Sequence, residues 1–310
     1  MKVIIADLIH PVIVERLSEK GFICRYLPDI TPAELIKVLP EYQGIILRSK
    51  IKLTSELLHK NRQLKFIGRV GSGLENIDIE AAKKLGIVVF NSPEGSRTAV
   101  GEHTVGLILS LLHNICLSDI QVKDGIWKRE ENRGVELENK TVGIIGYGNM
   151  GSAVARRLYS FGCNVIAYDK YKTGYSDKYV REVSLNEIFE HSDIVSLHIP
   201  LTEETEYWVD KNFFNSFAKS IYFVNTSRGK ILKTSDLLNA IKEGKVLAAA
   251  LDVLEYESYN FQFSVEKQSE FQALKDCKKI ILTPHIAGLT RESYYKLSLV
   301  MAQKVLKYFA

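Results

Sequence analysis

Three short segments in the second half of the chain carry the side chains that proton transfer to an oxygen atom needs. In Asn225-Thr226-Ser227-Arg228-Gly229 a strand-like run stops, and Arg228 stands where the strand gives way to a loop. A guanidinium offers paired donors under permanent charge, which match a carboxylate and polarise a neighbouring carbonyl oxygen. A surface arginine at a turn is the competing reading. Leu251 to Glu257 (LDVLEYE) is an acid-rich strand end, and Leu282-Thr283-Pro284-His285 sets a histidine between a strand and a helix. Of the seven histidines only His285 and His198 lie at strand ends; the others fall in helices or polar turns and read as structural. A carboxylate beside an imidazole favours its protonated form, so such a pair can hold a proton near neutral pH and pass it on. His285 is therefore the expected acid or base, and spacing alone leaves both Glu255 and Glu257 open as its partner.

What that proton serves is indicated by Gly146-Tyr147-Gly148-Asn149-Met150-Gly151. A lone G-x-G-x-x-G is a weak signal, but this one follows a β-branched run, Thr141 to Ile145, and precedes a helical pattern, Ser152 to Phe161. The next strand, Asn164 to Tyr168, ends at Asp169. In such a unit the first glycine permits the tight turn, the second lets the backbone approach a diphosphate and the third lets helix and strand pack. Gly146, Gly148 and Gly151 take those places, and the N–H groups at the helix start bind the diphosphate. Asp169 would accept the ribose hydroxyls and repel an extra phosphate, so NAD is the expected cofactor, although Lys170 follows directly. As hydride reaches a carbonyl carbon, charge grows on the oxygen, and a positioned acid must quench it.

Two series of alternating elements surround these segments. Strand patterns near Val3 to Ala6, Phe22 to Leu27, Gly44 to Leu47, Phe66 to Val70 and Val88 to Phe90 form the first. A long apolar helix is expected from Arg97 to Ile115. A second series follows, with strands at Thr141 to Ile145, Asn164 to Tyr168, Ile194 to Leu197, Ile221 to Asn225, Ala248 to Val253 and Ile280 to Thr283. The final segment, Thr290 to Phe309, is helical without a strand and is expected to pack on the first domain. The fold class is thus α/β: two doubly wound parallel-sheet domains, one a Rossmann dinucleotide-binding domain, with the active site in the cleft between them. The expected boundaries are 1–98 plus 289–310 for the substrate domain and 99–288 for the dinucleotide domain.

Composition sets the bounds. The chain of 310 residues is 46% hydrophobic and 25% charged, enough for a core in each domain. Its net charge of +4 is spread without blocks, so a nucleic-acid partner is not expected. The opening MKVIIADLIHPV has too short an apolar run for a secretory signal, and no stretch is long enough to span a membrane. Cys24, Cys116, Cys163 and Cys277 lack metal-ligand spacing and read as reduced thiols of a cytoplasmic protein, with no metal site.

Taken together, Val70 to Asp78 (VGSGLENID), Asn91 to Thr104 (NSPEGSRTAVGEHT), Asp124 to Trp127 (DGIW), GYGNMG, NTSRG, Leu251 to Glu257 and TPHI closely resemble the D-isomer-specific 2-hydroxyacid dehydrogenase family, and most of all its phosphoglycerate-type branch. The resemblance covers nearly the whole chain. It implies that Arg228 binds substrate, His285 is the acid or base and Glu257, five positions after Asp252, supports it. It further implies that Asp252 meets the nicotinamide amide, Asn149 and Met150 the diphosphate, Ser72 the cofactor and Thr226 the nicotinamide wall. Arg48, Ser49, Arg69 and Gly71 would face the substrate, the arginines around a phosphate, although strand-end arginines often only solubilise. The implied reaction is NAD-dependent hydride transfer at C2 of a small D-2-hydroxy or 2-keto acid, with 3-phosphoglycerate and 3-phosphohydroxypyruvate of serine synthesis favoured. Glyoxylate, hydroxypyruvate or D-lactate-type activity are the alternatives, and a non-catalytic NADH-sensing corepressor is the alternative of another class. A formate dehydrogenase is disfavoured because that branch has glutamine in place of the glutamate. The family is usually dimeric through the long helix, here residues 97–115. Ser258 replaces the family's proline, and the aromatic stretch 258–276 (Tyr259, Phe261, Phe263, Phe271) either covers the active site or braces the fold. No regulatory segment is read after the last helix, so serine feedback is not expected.

Overall fold

The computed structural model describes residues 1–258 and 268–309. Tyr259, Phe261 and Phe263 lie outside the described residues, while Phe271 sits on the helix Gln268–Asp276 against the core. The chain divides into two compact units, residues 1–97 with 289–309, and residues 98–257 with 268–288.

In the first unit β1 (Lys2–Ile5), β2 (Ile23–Tyr26), β3 (Gly44–Leu47), β4 (Phe66–Arg69) and β5 (Val88–Asn91) form a parallel sheet in the order β2-β1-β3-β4-β5. The inner strands read as unbroken apolar runs because both faces are covered. Ile4, Ile45, Leu47 and Ile67 pack on one face, and Val3, Ile5, Ile46 and Phe66 on the other, which is the period-two alternation of a strand. The helix Arg291–Phe309 covers the second face through Leu297, Met301, Ala302 and Val305. Its close approach requires Gly95, where a Cβ would lie 2.5 Å from Leu297 Cα. Lys304 Nζ ties the helix to Glu94 at 2.8 Å and to the Asn91 carbonyl at 2.9 Å.

The second unit holds β6 (Thr141–Ile145), β7 (Asn164–Tyr168), β8 (Arg181–Glu182), β9 (Ile194–Leu197), β10 (Ile221–Asn225), β11 (Val246–Leu251) and β12 (Ile280–Leu282). They form a parallel sheet in the order β12-β11-β10-β9-β6-β7-β8, so the direction of winding reverses between β6 and β9. Ligands bind at such a reversal, beyond the carboxyl ends of the strands. Strand β8 has no counterpart in the sequence reading, because two charged residues carry no hydrophobic alternation. A correction concerns the long helix. It runs Arg97–Leu112 and stops before Asn114, whose φ of 52° is left-handed; a second helix, Ile115–Lys123, leaves at 63°. Asparagine tolerates that backbone region because its short polar side chain pairs locally. Among the described residues no single helix is long and apolar enough to cross a membrane.

Candidate active site

The glycine turn lies at the reversal. Gly146 has φ 94°, and a Cβ there would lie 2.5 Å from the His198 carbonyl oxygen. A Cβ on Gly151 would lie 2.1 Å from the Gly146 carbonyl, so the helix can approach the turn only without a side chain. At Gly148 a Cβ would meet nothing within 4 Å. That open cradle stands at the start of the helix Asn149–Leu158, whose N-cap Gly148 supplies no side-chain cap. The helix therefore begins inside the motif, three residues earlier than the sequence pattern suggested, and Asn149 and Met150 form its first turn. The free N–H groups and the space fit the diphosphate of a dinucleotide. Asp169 closes the arrangement: its Oδ2 accepts the Tyr147 N–H at 2.8 Å, and its Oδ1 accepts those of Tyr171 and Lys172 at 2.9 and 3.1 Å. Tyr147 stacks on Tyr175 with ring centres 4.7 Å apart, and burial pushes both phenols up to about 12. Both hydroxyls therefore stay neutral through the physiological range.

At the ends of β11 and β12 the residues expected to transfer the proton come together. His285 Nδ1 lies 2.8 Å from Glu257 Oε2, while Leu254 N–H donates to Glu257 Oε1 at 3.2 Å. Glu255 points elsewhere: it is buried and accepts the Thr234 N–H at 3.0 Å, at the start of the helix Thr234–Lys242. Glu257 is thus the carboxylate that reaches His285. His285 has φ 54°, a conformation costing roughly 1–2 kcal/mol for a residue with a Cβ. Its N–H is held by the carbonyls of Asp252 at 2.7 Å and Thr283 at 3.0 Å. The Asp252 carboxylate, 1% exposed, accepts the Thr283 hydroxyl at 2.5 Å and the N–H groups of Ile286 and Ala287 at 2.9 Å. Burial alone would raise its pKa, but bonds from His103, Thr283 and those two N–H groups outweigh burial and hold it below the usual carboxylate range. Asp252, expected beside the nicotinamide, is also the buried anchor of the loop that carries His285.

Arg228 stands on a turn fixed from both sides. Asn225 is fully buried; its Oδ1 accepts the Ser227 N–H at 2.9 Å and its Nδ2 donates to the Arg228 carbonyl at 3.1 Å. Ser227 Oγ donates to the Leu197 carbonyl at 2.6 Å. At Gly229 a Cβ would lie 1.9 Å from the Leu254 carbonyl, so only glycine lets the arginine turn seat against the loop that leads to Glu257. Thr226 Oγ1 lies 3.2 Å from Thr104 Oγ1 on the helix Arg97–Leu112.

In the first unit the remaining expected residues gather at the carboxyl edge of the sheet. Leu47 and Arg69 are register partners, so Arg48 and Ser49 follow one strand end beside Arg69 at the next. Arg48 is half-buried, whereas Arg69 is buried, its guanidinium lying over Gly71. Gly71 and Ser92 exchange hydrogen bonds, and the Ser72 carbonyl accepts from Asn91 Nδ2 at 2.8 Å. Two residues not named as site residues in the sequence reading support expected ones, Asp7 in the first unit and His103 in the second. Asp7 Oδ2 accepts the N–H groups of Arg48 and Lys50 at 3.0 and 3.2 Å, and so shapes the Arg48-Ser49 loop. His103 Nε2 lies 3.3 Å from Thr283 Oγ1 and 3.5 Å from Asp252 Oδ1. An acid directly after a strand was a signal for Asp7; the GEHT segment was one for His103. Among the described residues no cluster of three or more His, Cys, Asp or Glu could hold a metal ion.

His198, the other strand-end histidine, is held neutral. Its Nε2 lies 2.9 Å from Ser196 Oγ, its Nδ1 is shut from solvent without a hydrogen-bond partner, and burial pushes its pKa down from 6.5 to about 3. The unfolded chain therefore takes up a proton near pH 6.5 that the folded chain refuses until about pH 3. Stability is fully kept above the upper value and falls as the pH drops through that window, by at most about 1.4 kcal/mol per pH unit. Urea unfolding at neutral and mildly acid pH should show His198→Gln losing less stability on acidification than the unmodified chain. Equal losses would mean His198 does not contribute to acid sensitivity.

The family profile described as "D-isomer specific 2-hydroxyacid dehydrogenase, NAD binding domain" matches residues 105–287. A D-3-phosphoglycerate dehydrogenase of Archaeoglobus fulgidus is 35% identical over 307 residues, covering 98% of this chain and 56% of that protein. A hydroxypyruvate reductase of Thermotoga maritima is 35% identical over 274 residues, 88% of this chain and 87% of its own length. The crystal structure of a D-lactate dehydrogenase from Aquifex aeolicus complexed with NAD and lactic acid is 30% identical, with a TM-score of 0.82 over 99% of this chain and 95% of that one. The chain spans little more than half the length of the Archaeoglobus relative. The glycine cradle with Asp169, and the matched profile over the sheet that carries it, show an NAD-binding domain, and the chain belongs to the D-isomer-specific 2-hydroxyacid dehydrogenase family.

Proposed function

We propose that the chain catalyses NAD-dependent hydride transfer at C2 of a small D-2-hydroxy or 2-keto acid. The observation that carries this reading is the His285–Glu257 pair at 2.8 Å, in the same unit as the open glycine cradle. Bound NADH supplies a hydride for a carbonyl carbon. The residues of the chain supply the rest. Arg228 binds the substrate carboxylate and polarises the carbonyl; its guanidinium places positive charge where the oxygen becomes negative. His285 Nε2, the ring nitrogen not turned to Glu257, delivers the proton to that oxygen. Glu257 fixes the ring orientation through Nδ1, leaving Nε2 for the substrate. Asn149 and Met150 meet the diphosphate, Asp169 the ribose, and Ser72, Thr226 and Asp252 the nicotinamide end.

For the substrate we favour 3-phosphohydroxypyruvate and 3-phosphoglycerate, with Arg48, Ser49, Arg69 and Gly71 around the phosphate; the Archaeoglobus relative supports this choice. The Thermotoga relative, which matches over most of both lengths, favours hydroxypyruvate as the second reading. Initial rates of NADH oxidation with 3-phosphohydroxypyruvate, hydroxypyruvate, glyoxylate and pyruvate separate the two. Expected is the highest kcat/KM for the phosphorylated acid, falling by about tenfold or more in Arg48→Ala, since one charge-assisted contact is lost. Preference for an unphosphorylated acid, or full activity of Arg48→Ala and Arg69→Ala, removes the phosphate assignment.

We further infer a homodimer. The helix Ile115–Lys123 buries none of its residues, and Ile120 and Trp127 are 57% and 77% exposed. Exposed apolar side chains gathered along residues 115–127, on the helix and the segment after it, point to an interaction surface. The occupant proposed is a second copy, docking along residues 97–127. Sedimentation should give a dimer that Ile120→Asp with Trp127→Glu converts to monomer; a monomeric parent chain refutes the inference.

A further inference from the structure

The run Asp169-Lys170-Tyr171-Lys172 is chemically ambiguous. Its carboxylate suits a ribose with free hydroxyls, while its lysines suit a ribose bearing a 2′-phosphate. Both lysines are engaged elsewhere in the structure. Lys172 Nζ donates to the Tyr147 carbonyl at 3.1 Å, inside the glycine turn. Lys170 Nζ is paired with Glu204 Oε1, and the Tyr171 hydroxyl donates to Glu204 Oε2 at 2.6 Å. Glu204 thus engages the two residues directly after Asp169 with its two carboxylate oxygens. It lies on the loop after β9, which is itself fixed: Thr205 Oγ1 accepts the Thr202 N–H at 2.8 Å and donates to the Pro200 carbonyl at 2.7 Å.

We propose that Glu204 is a specificity-determining residue, excluding a 2′-phosphorylated dinucleotide by neutralising Lys170. The proposal rests on Asp169 being the ribose acceptor. The pair is half exposed, with side-chain exposures of 53% for Lys170 and 50% for Glu204, and an ion pair of that kind contributes little to folding. Its consequence falls on a ligand instead. A phosphate arriving beside Asp169 finds a lysine whose charge is already compensated by Glu204. The hydroxyl of an unphosphorylated ribose is neutral and meets no such penalty.

Binding alone tests the proposal, by titrating NADH and NADPH against the nicotinamide fluorescence and by displacement with 2′-phospho-AMP and AMP. Expected for Glu204→Gln is a gain of about tenfold in affinity for the 2′-phosphorylated ligands, the size of one charge-assisted contact, with NADH affinity held within about twofold. The double variant Glu204→Gln with Lys170→Ala should lose that gain. An unchanged NADPH-to-NADH affinity ratio in Glu204→Gln overturns the proposal, and so does a gain that persists without Lys170. Asp169→Ala tests the underlying reading separately. Loss of NADH affinity there keeps Asp169 as the ribose acceptor whatever Glu204 does, and unchanged affinity removes the basis of the proposal.

Discussion

Replacing His285 by glutamine is expected to lower turnover by roughly 100- to 10,000-fold, the range for loss of a positioned acid or base, while NADH affinity stays within about twofold. Glutamine keeps a polar group of similar reach, so the loop retains a donor toward Glu257, but no proton can be delivered at neutral pH. The separation between kcat and affinity is the informative part. The backbone of residue 285 is held by the carbonyls of Asp252 and Thr283, and the carboxylate of Asp252 is fixed by the backbone of Ile286 and Ala287. None of these bonds uses the imidazole, so the cofactor half of the site survives the substitution. Steady-state rates and a fluorescence titration of NADH check both halves. Turnover within tenfold of the parent would show that another group supplies the proton.

Arg228→Gln is expected to reduce kcat/KM by roughly 100- to 1,000-fold, the loss typical of removing a donor that stabilises a developing oxyanion. The effect should divide between KM, through the substrate carboxylate, and kcat, through the carbonyl oxygen. Asn225 and Ser227 hold the turn by their own side chains, and Gly229 seats it against Leu254, so the variant should fold with an unaltered melting temperature. Kinetics with the preferred keto acid, alongside thermal unfolding, give the comparison. Unchanged kinetic constants in a folded variant would reduce Arg228 to a surface arginine at a turn.

The features that were legible in the sequence are those whose cause is local. A glycine turn between a strand and a helix announces itself by its spacing, but its glycines have different causes. Gly151 answers the Gly146 carbonyl within the turn, Gly146 the His198 carbonyl just past β9, and at Gly148 a Cβ would meet nothing within 4 Å. The final helix was readable from its period, and its strandless position suggested where it packs. The choice between Glu255 and Glu257 was not legible from spacing, because it depends on the 254–257 turn, where Leu254 N–H captures the second glutamate and Thr234 captures the first. Asp7 and His103 act across 41 and 180 residues of sequence, and no local pattern records such pairings. The break at Asn114 was hidden because apolar residues resume directly after it at Ile115. The partner that engages Lys170, Glu204, lies 34 residues away, beyond the reach of any local pattern.

One measurement addresses hydride transfer directly: reaction of the chain with 3-phosphohydroxypyruvate and, in parallel, hydroxypyruvate, using NADH deuterated at both C4 positions, with the product analysed for isotope and configuration. A D-2-hydroxy acid carrying one deuterium at C2 is expected, with the label lost neither to solvent nor to another carbon. Bound NADH without any labelled product, or deuterium delivered to the L-acid, would contradict the assignment of this site to D-2-hydroxyacid dehydrogenation.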